Sequence, residues 1–217
     1  MLSGLCSYAQ NITQADIDAL KDSLALKSGK ERIEFLGDLG FKYRTINTDS
    51  AWHYARQAYK EAEAFGDDDL QGRISMNLAI LKTEAGDYED AIKSYKLAMN
   101  LVDSTNGSQT LSFVYHNMAN AYERTGVIDT AIYYSLKALR RYEIANDSQR
   151  IASVKLNIAS QYRTIKEYEL SEKVNMESLE MYRALGNVFF QAAIENNLAL
   201  LNNDQERYEK ALSHAQE

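Results

Sequence analysis

Four asparagines stand at positions 77, 117, 157 and 197, each followed by an apolar residue and an alanine: Asn77-Leu78-Ala79, Asn117-Met118-Ala119, Asn157-Ile158-Ala159 and Asn197-Leu198-Ala199. A carboxamide offers a donor and an acceptor, as a peptide unit does. A ladder of such groups could follow an extended chain without demanding a particular sequence, leaving selectivity to charged neighbours. At helical spacing Asn77 shares a face with Arg73, Ile80 and Glu84. The matching faces carry Phe113, Asn117, Asn120 and Arg124, then Ser153, Asn157, Ser160 and Thr164, then Ala193, Asn197, Leu200 and Asp204. His116 adjoins Asn117. The candidate partner-contacting residues are Asn77, Asn117, Asn157, Asn197, Arg73, His116, Asn120 and Arg124. The alternative is structural. Asparagine inside a helix costs a few tenths of a kcal/mol, roughly, against alanine, so four in register also fit amides bonded between adjacent helices.

Other chemistry is not signalled. His53, His116 and His214 are not spaced as metal ligands on one turn, and no Cys or Asp cluster joins them. Neither a glycine-rich phosphate loop nor a serine nucleophile elbow is present. No catalytic residue, metal or cofactor is expected. A net charge of −7 argues against a nucleic-acid partner, because phosphate binding needs a basic footprint. The single cysteine, Cys6, excludes an internal disulfide. No apolar run reaches the length of a bilayer-spanning helix. Of the 15 tyrosines, Tyr88, Tyr122, Tyr162 and Tyr168 fall at packing positions. Tyr133, Tyr134 and Tyr142, beside Arg140 and Arg141, read as a solvated outer face, with an outer binding patch as the alternative.

The elements that position the asparagines repeat with the same step of 40. Ala51, Ala91, Ala131, Ser171 and Ala211 form one small-residue column, and Ala58, Ala98, Ala138 and Ser178 a second, two helical turns further on. Ile74, Val114, Val154 and Ile194 form an apolar column. Ile74, Leu78 and Leu81 make one helix face, as do Val114, Met118 and Ala121. Tyr88, Tyr168 and Tyr208 align, with Ile128 substituting. Gly66, Asn106, Asn146 and Gly186 mark helix ends, since both residue types tolerate a left-handed backbone. Asp67 and Asp147 follow as N-caps. Turn signals within the pairs are "EAGDYED", "RTGVIDT" and "NTDSA".

The unit is thus two antiparallel helices in about 40 residues, and it must stack to bury its apolar face. Zero prolines agrees with helices throughout. The fold class is all-α, an α-solenoid of stacked antiparallel helix pairs. Residues 13–29 form a capping helix with Thr13 as N-cap, and residues 30–217 the array, with units at about 30–66, 67–106, 107–146, 147–186 and 187–217. The first unit fits one residue out of step at "LGDLGFKYR", which predicts a shorter inner turn. The fifth unit is expected to be incomplete, its uncovered face open to self-association and its continuation in a longer, membrane-anchored protein. Residues 1–12 read as the remnant of an export signal, with Ser7-Tyr8-Ala9 before Gln10, or as a disordered tail. The first reading implies a periplasmic or cell-envelope location, the second a cytoplasmic one.

These columns resemble tetratricopeptide repeats. Ala119, Tyr122, Gly126, Ala131 and Ala138 fall at the family's small and aromatic positions, as do Leu78, Ala79, Gly86, Tyr88, Ala91, Tyr95 and Ala98. The similarity covers residues 30–217. The step is 40 rather than about 34, the family's terminal proline is missing, and Lys166 stands where glycine is usual; a longer second helix would account for the first two. The resemblance implies a right-handed superhelix whose concave groove is lined by the asparagine face, and a protein or an extended peptide as partner. It extends to the sensor region of Bacteroidetes-type membrane regulators, and so implies a scaffold in a bacterial signalling protein. The alternatives are a cytoplasmic adaptor or assembly factor and, from another class, an enzyme or nucleic-acid-binding solenoid.

Overall fold

A computed structural model describes residues 14–102 and 109–205, except the side chains of residues 14–18 and 20. Every regular element among them is an α-helix. In chain order these are α1 (Gln14–Ala25), α2 (Gly29–Tyr43), α3 (Thr48–Phe65), α4 (Asp68–Glu84), α5 (Tyr88–Leu101), α6 (Gln109–Arg124), α7 (Ile128–Ile144), α8 (Ser148–Thr164), α9 (Tyr168–Ala184) and α10 (Val188–Asp204). Apart from α1, even-numbered helices open each unit and odd-numbered ones close it. Each closing helix packs on the opening helices of its own unit and of the next. Successive opening helices touch one another, whereas the described closing helices do not. The opening helices therefore line the inside of the arc, where neighbours crowd together.

The two small columns explain how closely the paired helices approach. Ala51, Ala91, Ala131 and Ser171 are wholly buried, and so are Ala58, Ala98, Ala138 and Ser178. Unit four measures the approach directly. The Ser171 hydroxyl donates to the Ala159 carbonyl at 2.7 Å, and the Ser178 hydroxyl to the Ala152 carbonyl at 2.8 Å. A serine side chain spans the gap to the facing backbone and satisfies its own buried hydroxyl there. The apolar columns lie against these seams: Ile74, Val114, Val154 and Ile194 are all buried.

Helix ends follow the expected chemistry. Gly66, Asn146 and Gly186 have φ of 77°, 53° and 66°. Asp67, Asp147 and Asn187 then accept from the backbone N–H three residues on. Inner turns use the same device at Gly86, Gly126 and Lys166, with φ of 86°, 78° and 65°. The N–H groups of Asp87, Val127 and Glu167 return to the carbonyls of Lys82, Tyr122 and Tyr162 at 2.9–3.1 Å. This six-to-one bond satisfies carbonyls that the helix end would leave open.

Unit one departs as its register implies. Gly40 to Ala51 spans one residue fewer than Ala79 to Ala91. A Cβ on Gly40 would lie 3.0 Å from the Ala55 backbone nitrogen, so only glycine admits that approach. Helix α1 ends at Ala25, short of residue 29, and Leu24 rests on the first pair. Helix α5 is the correction. Its cap was expected at Asn106, but the helix ends at Leu101, and Val102 leaves with ψ of 134° and is buried. Val102 sits on Gly72, where a Cβ would come within 2.6 Å of its side chain. Residue 72 is glycine where the later units have Ser112 and Ala152, and this opens the space. Thr13, Asn106, Tyr208, Ala211, His214, Cys6 and the Ser7-Tyr8-Ala9 stretch lie outside the described residues.

Two outcomes follow. Ala138→Leu should destabilise by about 1–3 kcal/mol, because an overpacked core shifts backbone or rotamers; chemical denaturation checks it. Lys166→Gly should raise the melting temperature, since a non-glycine residue in the left-handed region costs roughly 1–2 kcal/mol, partly offset by glycine's unfolded-state entropy.

Candidate partner-binding site

The asparagine column lies on the opening helices, half-buried on the face where α4, α6, α8 and α10 follow one another. Polar contacts across this seam recur at about one repeat of separation. Arg73 donates to Glu34 at 2.7 Å. Gln161 donates to Glu123 at 3.0 Å, and Ser160 to the same carboxylate at 3.3 Å. Asn157 joins α8 to α6: its Nδ2 donates to Asn120 Oδ1 at 2.8 Å and meets His116 Nε2 at 3.1 Å. Both amide protons of Asn157 are thereby used. His116 Nε2 must act as the acceptor, which places the ring's proton on Nδ1.

The candidate residues do not form one site. Asn120, Arg124 and Asn157 line an open groove of about 1030 Å³ with Thr83, Glu84 and Tyr88. His116 faces a separate pocket on the other side of Asn157. Arg73 is occupied by Glu34 and lies 3.3 Å from Asp69. Asn77 rests against α2, where a Cβ on Gly37 would lie 3.7 Å from its Nδ2. Asn117 Nδ2 turns back to the Phe113 carbonyl of its own helix at 2.9 Å. Asn197 is half-buried on α10 and lines neither cavity. Sequence reasoning missed Thr83 and Glu123. The recurrence of polar residues 37–41 positions apart was the available signal.

Charge in the groove is uneven. Glu123 is held by Ser160 and Gln161, and Glu84 lies 3.5 Å from Arg44. Arg124 is exposed and forms no ion pair with a described residue. Asn120 keeps its NH2 donors, and Asn157 keeps its carbonyl acceptor. Burial and the nearby Arg150 charge press the His116 pKa down to about 4, so the ring is neutral.

The tyrosines divide differently from expectation. Tyr122, Tyr162 and Tyr168 pack on the core, while Tyr88 lines the groove. Tyr142 is not part of a solvated face: it is buried, touches Phe113 and His116 edge-on, and desolvation pushes its hydroxyl up to about 12. Tyr134 is packed between Tyr115 and Tyr122, and of the three only Tyr133 is largely exposed, at 52%. No cluster of metal-ligating side chains occurs among the described residues, and no described helix is long and apolar enough to cross a membrane.

This architecture is a tetratricopeptide-type helical solenoid. The chain belongs to the family described as the SusR N-terminal TPR domain, which matches residues 7–127. No curated protein matches it. Among solved structures it is similar to BtubC (BKLC) from P. vanneervenii, at 20% identity and a TM-score of 0.74, covering 96% of this chain and 83% of that one. It is also similar to aspartyl phosphate phosphatase F from Bacillus subtilis, at 15% identity and a TM-score of 0.74, covering 92% and 63%. A third neighbour is a Rap protein complexed with competence and sporulation factor, at 16% identity and a TM-score of 0.74, covering 93% and 68%. At these identities the likeness concerns the fold.

The neutral histidine has a signed consequence. Its folded pKa, about 4, lies below the ordinary value of 6.5. Between these values the unfolded chain binds the extra proton, so stability should fall as pH drops from about 6.5 to 4. The expected loss is on the order of 1–3 kcal/mol. Urea unfolding of wild type and His116→Gln across this range checks it, because the variant should lack that part of the pH dependence.

Proposed function

We propose that the protein is an interaction scaffold that holds an extended peptide or protein segment along the face of its opening helices. One observation carries this reading. After Asn120 and Asn157 have bonded each other, the pair retains amide donors on one residue and a carbonyl acceptor on the other, both at the groove lined by Thr83, Ser160 and Thr164. A peptide unit needs one donor and one acceptor at such a place. Arg124, without a carboxylate of its own, favours an acidic or carboxylate-bearing residue nearby. Asn157 alone of the column thus does both jobs considered for it: it ties two helices together and still faces the groove. The absence of a nucleophile–base pair in the lining leaves nothing that suggests turnover.

We place this scaffold in a bacterial envelope regulator, as its sensing or partner-binding part. Support comes from the family, whose description locates such a domain at the N-terminal end of SusR, and from the small residues Ser7 and Ala9 before Gln10. That a neighbour of similar fold is a Rap protein complexed with competence and sporulation factor supports a bound partner here.

Selection of binders from a displayed library of unstructured peptides tests the scaffold reading. Asn120→Ala with Arg124→Ala should weaken selected peptides roughly tenfold or more, as expected from losing one or two directed bonds, while helicity is retained and the melting temperature falls only by what loss of the Asn157–Asn120 bond costs. Peptides that bind wild type and the double variant equally would sink it.

A further inference from the structure

Beyond Asn157 from the groove lies a second, more enclosed pocket of about 210 Å³, built from α6, α8, α9 and α10. Its polar wall is His116, Asp147, Gln149, Arg150, Ser153 and Tyr182, and Phe190 supplies an apolar wall. Three features fix the charged group. The Arg150 guanidinium lies over the Phe113 ring at 4.2 Å. Its Nε reaches Asp147 Oδ2 at 3.0 Å. Among the described residues no second carboxylate pairs with it. A guanidinium held by stacking and by one edge is pre-oriented to offer its other edge.

The second observation is a tyrosine hydroxyl. Tyr182 is 1% exposed, its ring stacks on Phe190 at 4.7 Å, and its Oη has no hydrogen-bond partner of normal geometry, with Ser153 its polar neighbour. The Tyr142 hydroxyl is also buried, with Arg150 as its polar neighbour. A buried unmet donor is costly, and one that shares a pocket with a guanidinium asks for an acceptor-rich guest. His116 contributes no charge, and Asp147 already offsets Arg150. The surroundings therefore suit a monoanion and disfavour a phosphate dianion. Planar, forked oxygen geometry selects a carboxylate.

We propose that this pocket binds a small organic monocarboxylate, its oxygens on the Arg150 terminal nitrogens and the Tyr182 hydroxyl and its apolar body against Phe190. The site is independent of the peptide groove, from which Asn157 divides it. Asn157 touches His116 on one side and Asn120 on the other, so an occupied pocket abuts the same amide that faces the groove.

Titration of the full chain with benzoate and phenylacetate tests this, read by arginine side-chain and histidine ring NMR signals. Saturation is expected in the low-millimolar range, about what a fragment of roughly ten heavy atoms reaches. Benzamide and phenyl phosphate should bind at least about tenfold more weakly. Arg150→Gln should abolish the response, and Tyr182→Phe, which removes only the hydroxyl, should weaken it while keeping the fold. Arg124→Ala, at a groove residue that does not line this pocket, should leave it unchanged, which separates this site from the groove. Equal binding of benzamide, retained binding in Arg150→Gln, or no saturation by about 50 mM would overturn the assignment. Displacement of phenylacetate only by peptide acids, and not by their amides, would give the pocket to a chain terminus and also overturn it.

Discussion

Two columns of side chains no larger than serine hold the stack together. The closing helices press Ala51, Ala91, Ala131 and Ser171, then Ala58, Ala98, Ala138 and Ser178, against the opening helices, and none of the eight is exposed. Interiors pack as densely as organic crystals, so the distance between helices is set by what lies between them. A methyl group there allows the ridges to interlock, and a hydroxyl there reaches the facing carbonyl. Everything else depends on this spacing. It decides how far successive opening helices stand apart, and so which polar side chains can meet across the inner face.

That inner face is a polar seam. Opening and closing helices both contribute the apolar faces buried within each unit, and the opening helices also exchange hydrogen bonds and ion pairs one repeat apart. Isolated exposed pairs of this sort contribute little. Partly buried ones, such as Asn157 with Asn120 and His116, specify register between units, because each partner left unmet would cost more than the bond gains. The same residues leave donors and acceptors facing outward. Structural joint and proposed binding surface are therefore made of the same side chains, which is why a substitution at Asn157 would alter both.

The architecture was largely legible in the sequence. The step of 40, the small columns and the left-handed caps at Gly66, Asn146 and Gly186 all follow from local conformational preference, and local preference is carried by residue type. Lys166 in a glycine position was legible as an oddity and stands with φ of 65°. The early end of α5 was not legible. It depends on Val102 finding room over Gly72, a contact between positions whose pairing no local pattern announces. Tyr142 was misplaced for a similar reason: its helix position suggested solvent, but the next opening helix covers it.

The candidate site was legible only as a list. By itself the sequence determined the two-helix unit, its repetition and the face on which the asparagines would fall, because periodicity and turn chemistry act within a few residues of each position. Only the tertiary structure decided that Asn120, Arg124 and Asn157 share a groove, that Arg73 and Asn117 are occupied elsewhere, and that His116 opens onto a different cavity with Arg150 and Tyr182. Those outcomes turn on rotamers and on side chains from neighbouring repeats. A hydrogen bond forms or fails over less than an ångström, a distance that the order of residues along a chain does not encode.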